Sequence, residues 1–243
     1  MRKLILGLLL ISSTFFRVGS AQDKAKPWPD WSKKEALRIL NDSPWGQAQV
    51  QTDTSEMFFR PQADPNVAPR AADANRDRQG STNQATSVKY RIRFLSATPI
   101  RLAFARLITM DQKTEATAIT AHLRDFVERK FDQWIAITVD YESNDQRFSG
   151  EALQAFNSAT VGSLKNNTYL ERKDGKRIFL NAYYPPSSDG LGAKFIFERI
   201  VDEAPFLNRE SGEVRFVSEI SKTLRLDKRF KVADMIYQGK LEY

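Results

Sequence analysis

Between Val88 and Phe94 apolar and cationic side chains alternate without a break. Val88, Tyr90, Ile92 and Phe94 fall on one side, Lys89, Arg91 and Arg93 on the other. A period of two is the mark of a strand with one face in a core. Trp134 to Val139 is almost wholly apolar and β-branched, which predicts a central strand covered on both faces. Ala48 to Phe59 reads as a further strand.

Helical spacing separates these runs. Ser32-Lys33-Lys34-Glu35 has the spacing of a capping box, and Leu37, Ile39 and Leu40 supply an apolar side to the helix that follows. Asn41-Asp42-Ser43-Pro44 should stop it, since proline cannot continue a helix. Thr98-Pro99 is an N-cap followed by proline at the first helical position, and Ile100, Ala103, Phe104, Leu107 and Ile108 form one face. A second helix is predicted from about Thr114 to Phe131, with Ile119, Leu123, Phe126 and Val127 inward. A short one is predicted from Gly150 to Asn157.

After Tyr169 the pattern changes. Asp174-Gly175 is a hairpin turn signal. Strands are predicted at Arg177–Tyr184, Lys194–Val201, Glu213–Ile220 and Arg229–Tyr237, divided by Pro185-Pro186, Asp189-Gly190 and Ser211-Gly212. Together these elements predict an α+β fold, with early helices packed on one face of a mostly antiparallel sheet and a C-terminal β-meander. Residues 60–85 carry Pro61, Pro65 and Pro69 and almost nothing large and apolar, so they predict a mobile loop. The N-terminal helix and strand over 22–59 and the main domain over 86–243 are expected to form one structural domain.

The first residues hold a different signal. Arg2 and Lys3 precede the apolar run Leu4 to Ile11, and Gly19-Ser20-Ala21 follows. Charged, apolar, then small is the order of a cleavable secretory signal, here residues 1–21. The apolar run is shorter than the roughly 20 residues that span a bilayer, so a retained anchor is not expected. No later segment is long and apolar enough to replace it, so no transmembrane segment is expected after cleavage. The protein is therefore expected outside the cytoplasm, in a periplasm or secreted.

Composition then narrows the function. The sequence carries 37 basic and 30 acidic residues, a net charge of +7, and losing Arg2, Lys3 and Arg17 with the signal would lower it to +4. That is too mild for a nucleic-acid binder. There is no cysteine, which excludes disulfides, thiolate nucleophiles and zinc–thiolate sites. His122 is the single histidine, so histidine triads with a cysteine and histidine-rich metal sites cannot be built. Glycine-rich phosphate loops and Gly-x-Ser-x-Gly elbows are also missing. No cofactor is expected.

Four constellations remain. Asp140 and Glu142, with His122, are the candidate acid–base groups of a carboxylate-dependent hydrolase. Asp140, Glu142, Asn144 and Glu151 fall at positions one, three, five and twelve of a calcium loop, although Asp145 replaces the turn glycine. Lys89, Arg91 and Arg93 form a basic stripe suited to an anionic polymer. Trp28, Trp31 and Trp45 crowd the start of the mature chain, where aromatic rings could stack on a glycan or anchor a protein partner. The expectation is an exported, non-catalytic protein with a binding or envelope-assembly role. The alternatives are the hydrolase and the binder of anionic polymer.

Overall fold

Ser32 Oγ accepts the Glu35 amide at 3.2 Å, and the Glu35 carboxylate accepts the Ser32 amide at 2.6 Å. The expected capping box therefore starts helix α1, Lys33–Asn41, in this computed structural model. The structure describes residues 26–53, 86–111, 121–144 and 146–243. The expected signal over 1–21, the loop over 60–85, residues 54–59 and 114–120 of two expected elements, and Asp145 lie outside them. At the other end of α1, the Ser43 hydroxyl donates to the Ile39 carbonyl at 2.5 Å. A Cβ on Gly46 would lie 2.2 Å from the Leu40 carbonyl oxygen, so glycine lets the chain turn directly into the first strand.

The strands follow as β1 Gly46–Asp53, β2 Thr86–Phe94, β3 Trp134–Ser143, β4 Thr168–Arg172, β5 Arg177–Phe179, β6 Ala182–Tyr184, β7 Ala193–Glu198, β8 Ile200–Val201, β9 Ala204–Pro205, β10 Glu213–Glu219 and β11 Arg225–Lys231. The other helices are α2 Thr98–Asp111, α3 Ala121–Glu128, α4 Gln146–Ser158 and α5 Val161–Leu164. Two antiparallel sheets result, ordered β1-β2-β3-β7-β6 and β11-β10-β4-β5. The Trp134–Val139 run is the centre of the first, as its apolar composition requires, and Ile135 to Val139 is fully buried.

The two faces of the first sheet are covered differently. Tyr90, Ile92 and Phe94 face the second sheet and α4. Phe94 meets Phe230 at 5.0 Å, Phe195 meets Phe216 at 5.4 Å, and Tyr141 stacks on Phe156 at 5.9 Å. Each such ring pair contributes roughly 0.5–1.5 kcal/mol beyond its buried area. The opposite face carries the early helices α1 and α2, where Arg93 reaches the Leu40 carbonyl and lies over Phe104. The fold is α+β.

The late strands are antiparallel, but they pair in two sheets. Arg177–Tyr184, expected as one strand, breaks at Leu180-Asn181. The Leu180 amide donates to Thr168 in the second sheet, and the next amide, Asn181, donates to Ile196 in the first. The strand expected over Arg229–Tyr237 runs instead over Arg225–Lys231. A 3-10 turn at Val232–Asp234 ends it, and Ile236–Tyr237 (β12) pairs with Lys240–Leu241 (β13) as a separate hairpin.

At one rim the two sheets are joined by side-chain amides. Gln49 donates to the Arg225 carbonyl at 2.8 Å and accepts the Asp227 amide at 2.8 Å. Gln51 donates to the Thr223 carbonyl at 3.0 Å. These bonds cover main-chain groups of edge strand β11 that would otherwise stand open.

Gly192 has φ +82°, and a Cβ there would lie 2.2 Å from the Val139 carbonyl oxygen; Gly190, at φ +71°, has nothing within 4 Å. Gly190→Ala should cost only the left-handed penalty, roughly 1–2 kcal/mol. Gly192→Ala must also push β3 aside and should lower the urea midpoint distinctly further. Equal losses in the two variants would show that the close approach is unimportant.

Candidate functional site

The β2–β3 register sets Arg91 opposite Asp140 and Lys89 opposite Glu142. Opposed residues share a face, so the basic stripe and the candidate carboxylates meet on the side of α1 and α2. Arg91 Nε donates to Asp140 Oδ1 at 2.5 Å, and Arg93 Nη1 donates to Asp140 Oδ2 at 2.8 Å. Arg91 also reaches Glu142 at 3.3 Å. Arg93 is only 2% exposed and spends its remaining donors on the Leu40 carbonyl and Asn41 Oδ1. Burial pushes its pKa down, and Asp140 opposes that shift.

Two expectations change here. The stripe is not a solvated face, because Arg93 is buried and Arg91 is half-buried; Lys89 alone stands exposed. Asp140 has each oxygen engaged by a guanidinium group, so its carboxylate is held as the partner of Arg91 and Arg93. His122 is exposed on α3, and no hydrogen bond or ion pair among the described residues joins it to Asp140 or Glu142. The hydrolase constellation is not assembled.

The calcium constellation is divided too. Asp140 and Glu142 face the α1–α2 side, whereas Glu151 lies on α4, which packs against Tyr90 and Tyr141 on the other side of the sheet. Asn144 Oδ1 accepts the Ser87 amide at 3.0 Å. Among the described residues no group of three potential ligands could hold a metal ion. The twelve-residue span fails as a loop because it is divided between the end of β3 and helix α4, which put Glu151 across the sheet from Asp140 and Glu142.

The tryptophans converge. Trp28 and Trp31 line a cleft of about 470 Å³ with Ile39, Ile236 and Tyr237, and Lys26, Glu35 and Arg38 border it. Trp31 is 8% exposed and its indole donates to the Lys26 carbonyl at 3.0 Å. Its own carbonyl accepts Arg106 Nε at 2.6 Å. Trp45 is buried rather than presented. Its indole donates to the Glu242 carbonyl at 2.8 Å, and its ring meets the edge of Tyr237 at 6.4 Å. It braces the Tyr237 wall from behind.

Charge at this rim is fixed. Main-chain and side-chain hydrogen bonds from Ser32, with Lys26 at 3.1 Å, hold the Glu35 carboxyl down at about 2. It stays ionised at any physiological pH. Arg38 makes no ion pair among the described residues. Tyr237, Ile236 and Arg38 were missed from sequence. Their only signals were an apolar pair near the C-terminus and a cation on the polar side of α1, and neither announces a cleft.

Several cations of the second sheet are paired. On the outer face of the second sheet Arg215 pairs with Asp227 and Glu171, Arg177 with Glu171, Arg225 with Glu219 and Arg229 with Glu213. Such exposed pairs contribute little stability. No helix among the described residues is long and apolar enough to cross a membrane. No protein-family model matches the chain, and no curated protein or solved structure matches it either.

Removing Asp140 would strand the buried Arg93 charge. Asp140→Ala should therefore destabilise the protein by about 3 kcal/mol in chemical denaturation. Glu142→Gln, at an exposed weak pair, should stay within about 0.5 kcal/mol of the parent. An Asp140→Ala variant of unchanged stability would contradict the structural role assigned to this carboxylate.

Proposed function

We propose that the protein is exported and acts by binding rather than catalysis, using the Trp28–Trp31–Tyr237 cleft to anchor an apolar side chain of a protein partner. The observation that carries this reading is the cleft's composition. Aromatic rings form its interior and an arginine stands at its edge, the residue types that dominate binding hot spots. The apolar interior with a charged rim matches the layout of protein interfaces. Arg38 adds a preference for an acidic residue beside the anchoring one.

The two competing readings lose support together. A hydrolase needs Asp140 free, and a polyanion binder needs Arg91 and Arg93 free. Each set is engaged by the other. Export rests on the order of charged, apolar and small residues at the N-terminus. It would place the cleft close behind the start of the mature chain.

A photo-crosslinking residue at position 28, in the full chain expressed with its own leader, tests the reading. One discrete adduct should form in the envelope fraction, disappear with Arg38→Glu, and be absent when the probe sits at exposed Lys222. The protein recovered there should begin at Gln22 by N-terminal sequencing. Adducts of equal yield at positions 28 and 222 would sink the assignment. Recovery in the cytoplasm with Met1 retained would sink export.

A further inference from the structure

A second opening, of about 700 Å³, lies on the other side of the first sheet, between α4 and the β10–β11 turn. It shares no residue with the aromatic cleft. Val88, Tyr90 and Leu224 give it an apolar floor, and Gln51, Glu151 and Gln154 stand around it. Among the described residues no lysine, arginine or histidine lines it. Its size is that of a small-molecule site.

Tyr90 is the informative residue. It is 4% exposed, with its ring packed beside Phe156. Its hydroxyl has no hydrogen-bond partner among the described residues. Yet the one fully sealed side-chain oxygen or nitrogen lacking a partner there is Thr138 Oγ1. The Tyr90 hydroxyl therefore opens to the groove. A buried tyrosine normally satisfies its hydroxyl, because an unmet one costs about 1–3 kcal/mol. Burial, with the Tyr141 hydroxyl and the Glu151 carboxylate nearby, pushes the phenol up to about 12, so it remains a neutral donor and acceptor.

The other polar groups narrow the ligand. The Glu151 and Gln154 side chains make no hydrogen bond among the described residues, and Gln51 keeps its side-chain carbonyl oxygen after donating to Thr223. These are side-chain acceptors and donors beside an apolar floor. An extended peptide would instead need a strand edge. One edge beside it, β11 with its turn, already has the Thr223 and Arg225 carbonyls and the Asp227 amide bonded by Gln51 and Gln49. A polyanion would meet Glu151 with no cation among the described lining residues to receive it. A neutral polyhydroxylated ring, with C–H faces for the floor and hydroxyls for the walls, fits all of these constraints.

We propose that this groove is a binding site for an uncharged oligosaccharide, with Tyr90, Glu151 and Gln154 as its hydrogen-bonding residues. The test is calorimetric titration of the mature chain with maltotriose, cellotriose and chitotriose at millimolar concentration, with a neutral tetrapeptide alongside. At least one trisaccharide should bind. Tyr90→Phe, which keeps the ring, should weaken it about tenfold, the value of one lost hydrogen bond. Gln154→Ala should do the same, and Phe179→Ala, on the far edge of the second sheet, should not. Without sugar the melting temperature of Tyr90→Phe should equal or exceed the parent's, which separates lost binding from lost folding. Binding of none of the three trisaccharides, equal binding to parent and both groove variants, or binding of the tetrapeptide in their place would overturn the proposal. None of these outcomes bears on crosslinking at Trp28, so the two readings fail separately.

Discussion

One buried cation organises the helical side of this protein. Arg93 sits near the end of β2 with its charge taken out of water, and it is retained because every direction from its guanidinium meets a partner. Asp140 neutralises it from β3, Leu40 and Asn41 receive it at the end of α1, and Phe104 of α2 lies under its plane. A bidentate, planar group can join three elements where a lysine could serve only as a point charge. The same arrangement explains why the residues that look most chemical in the sequence are silent in the fold. Their charges are spent on each other.

Much of the architecture was legible because it follows from local rules. Ser32 and Glu35 announce α1, and the alternation from Val88 to Phe94 announces β2 with its buried face. The Trp134–Val139 run announces a centre strand. What stayed hidden depends on partners distant in sequence. Nothing in Arg177–Tyr184 says that the chain changes sheets between Leu180 and Asn181, since the apolar period continues through the break. The same limit governs the sites. Arg93 reads as solvent-facing until α1 and α2 are laid over it, and Glu151 reads as a ligand beside Asp140 until β3 and α4 separate them across the sheet. Tyr237, some 200 residues from Trp28 in the chain, enters the cleft only through the closing hairpin.

Functional capacity therefore collects where the layers end rather than where charge is densest. The aromatic cleft lies where the N-terminal segment meets the β12–β13 hairpin, and the groove lies where the second sheet diverges from the first. Both are margins of the core, lined by residues that belong to it on one side and to solvent on the other. An aromatic seam of Phe94, Phe195, Phe216 and Phe230 holds the layers rigid between them. A ligand at either of these proposed sites would have less freedom to remove on binding.

The Gln49 and Gln51 bonds give the groove margin a distinctive dynamic character. Elsewhere the strands are held by continuous main-chain ladders, which open only with much of the sheet. At this rim the fastening is a pair of side chains, each free to rotate away without unpairing a strand. Local opening should therefore begin here and cost far less than global unfolding. The Asp227 amide, protected by a glutamine oxygen in place of a neighbouring strand, would be among the first in β11 to exchange with solvent. The rim has the form of a latch, and its opening would widen the groove while the core stays closed.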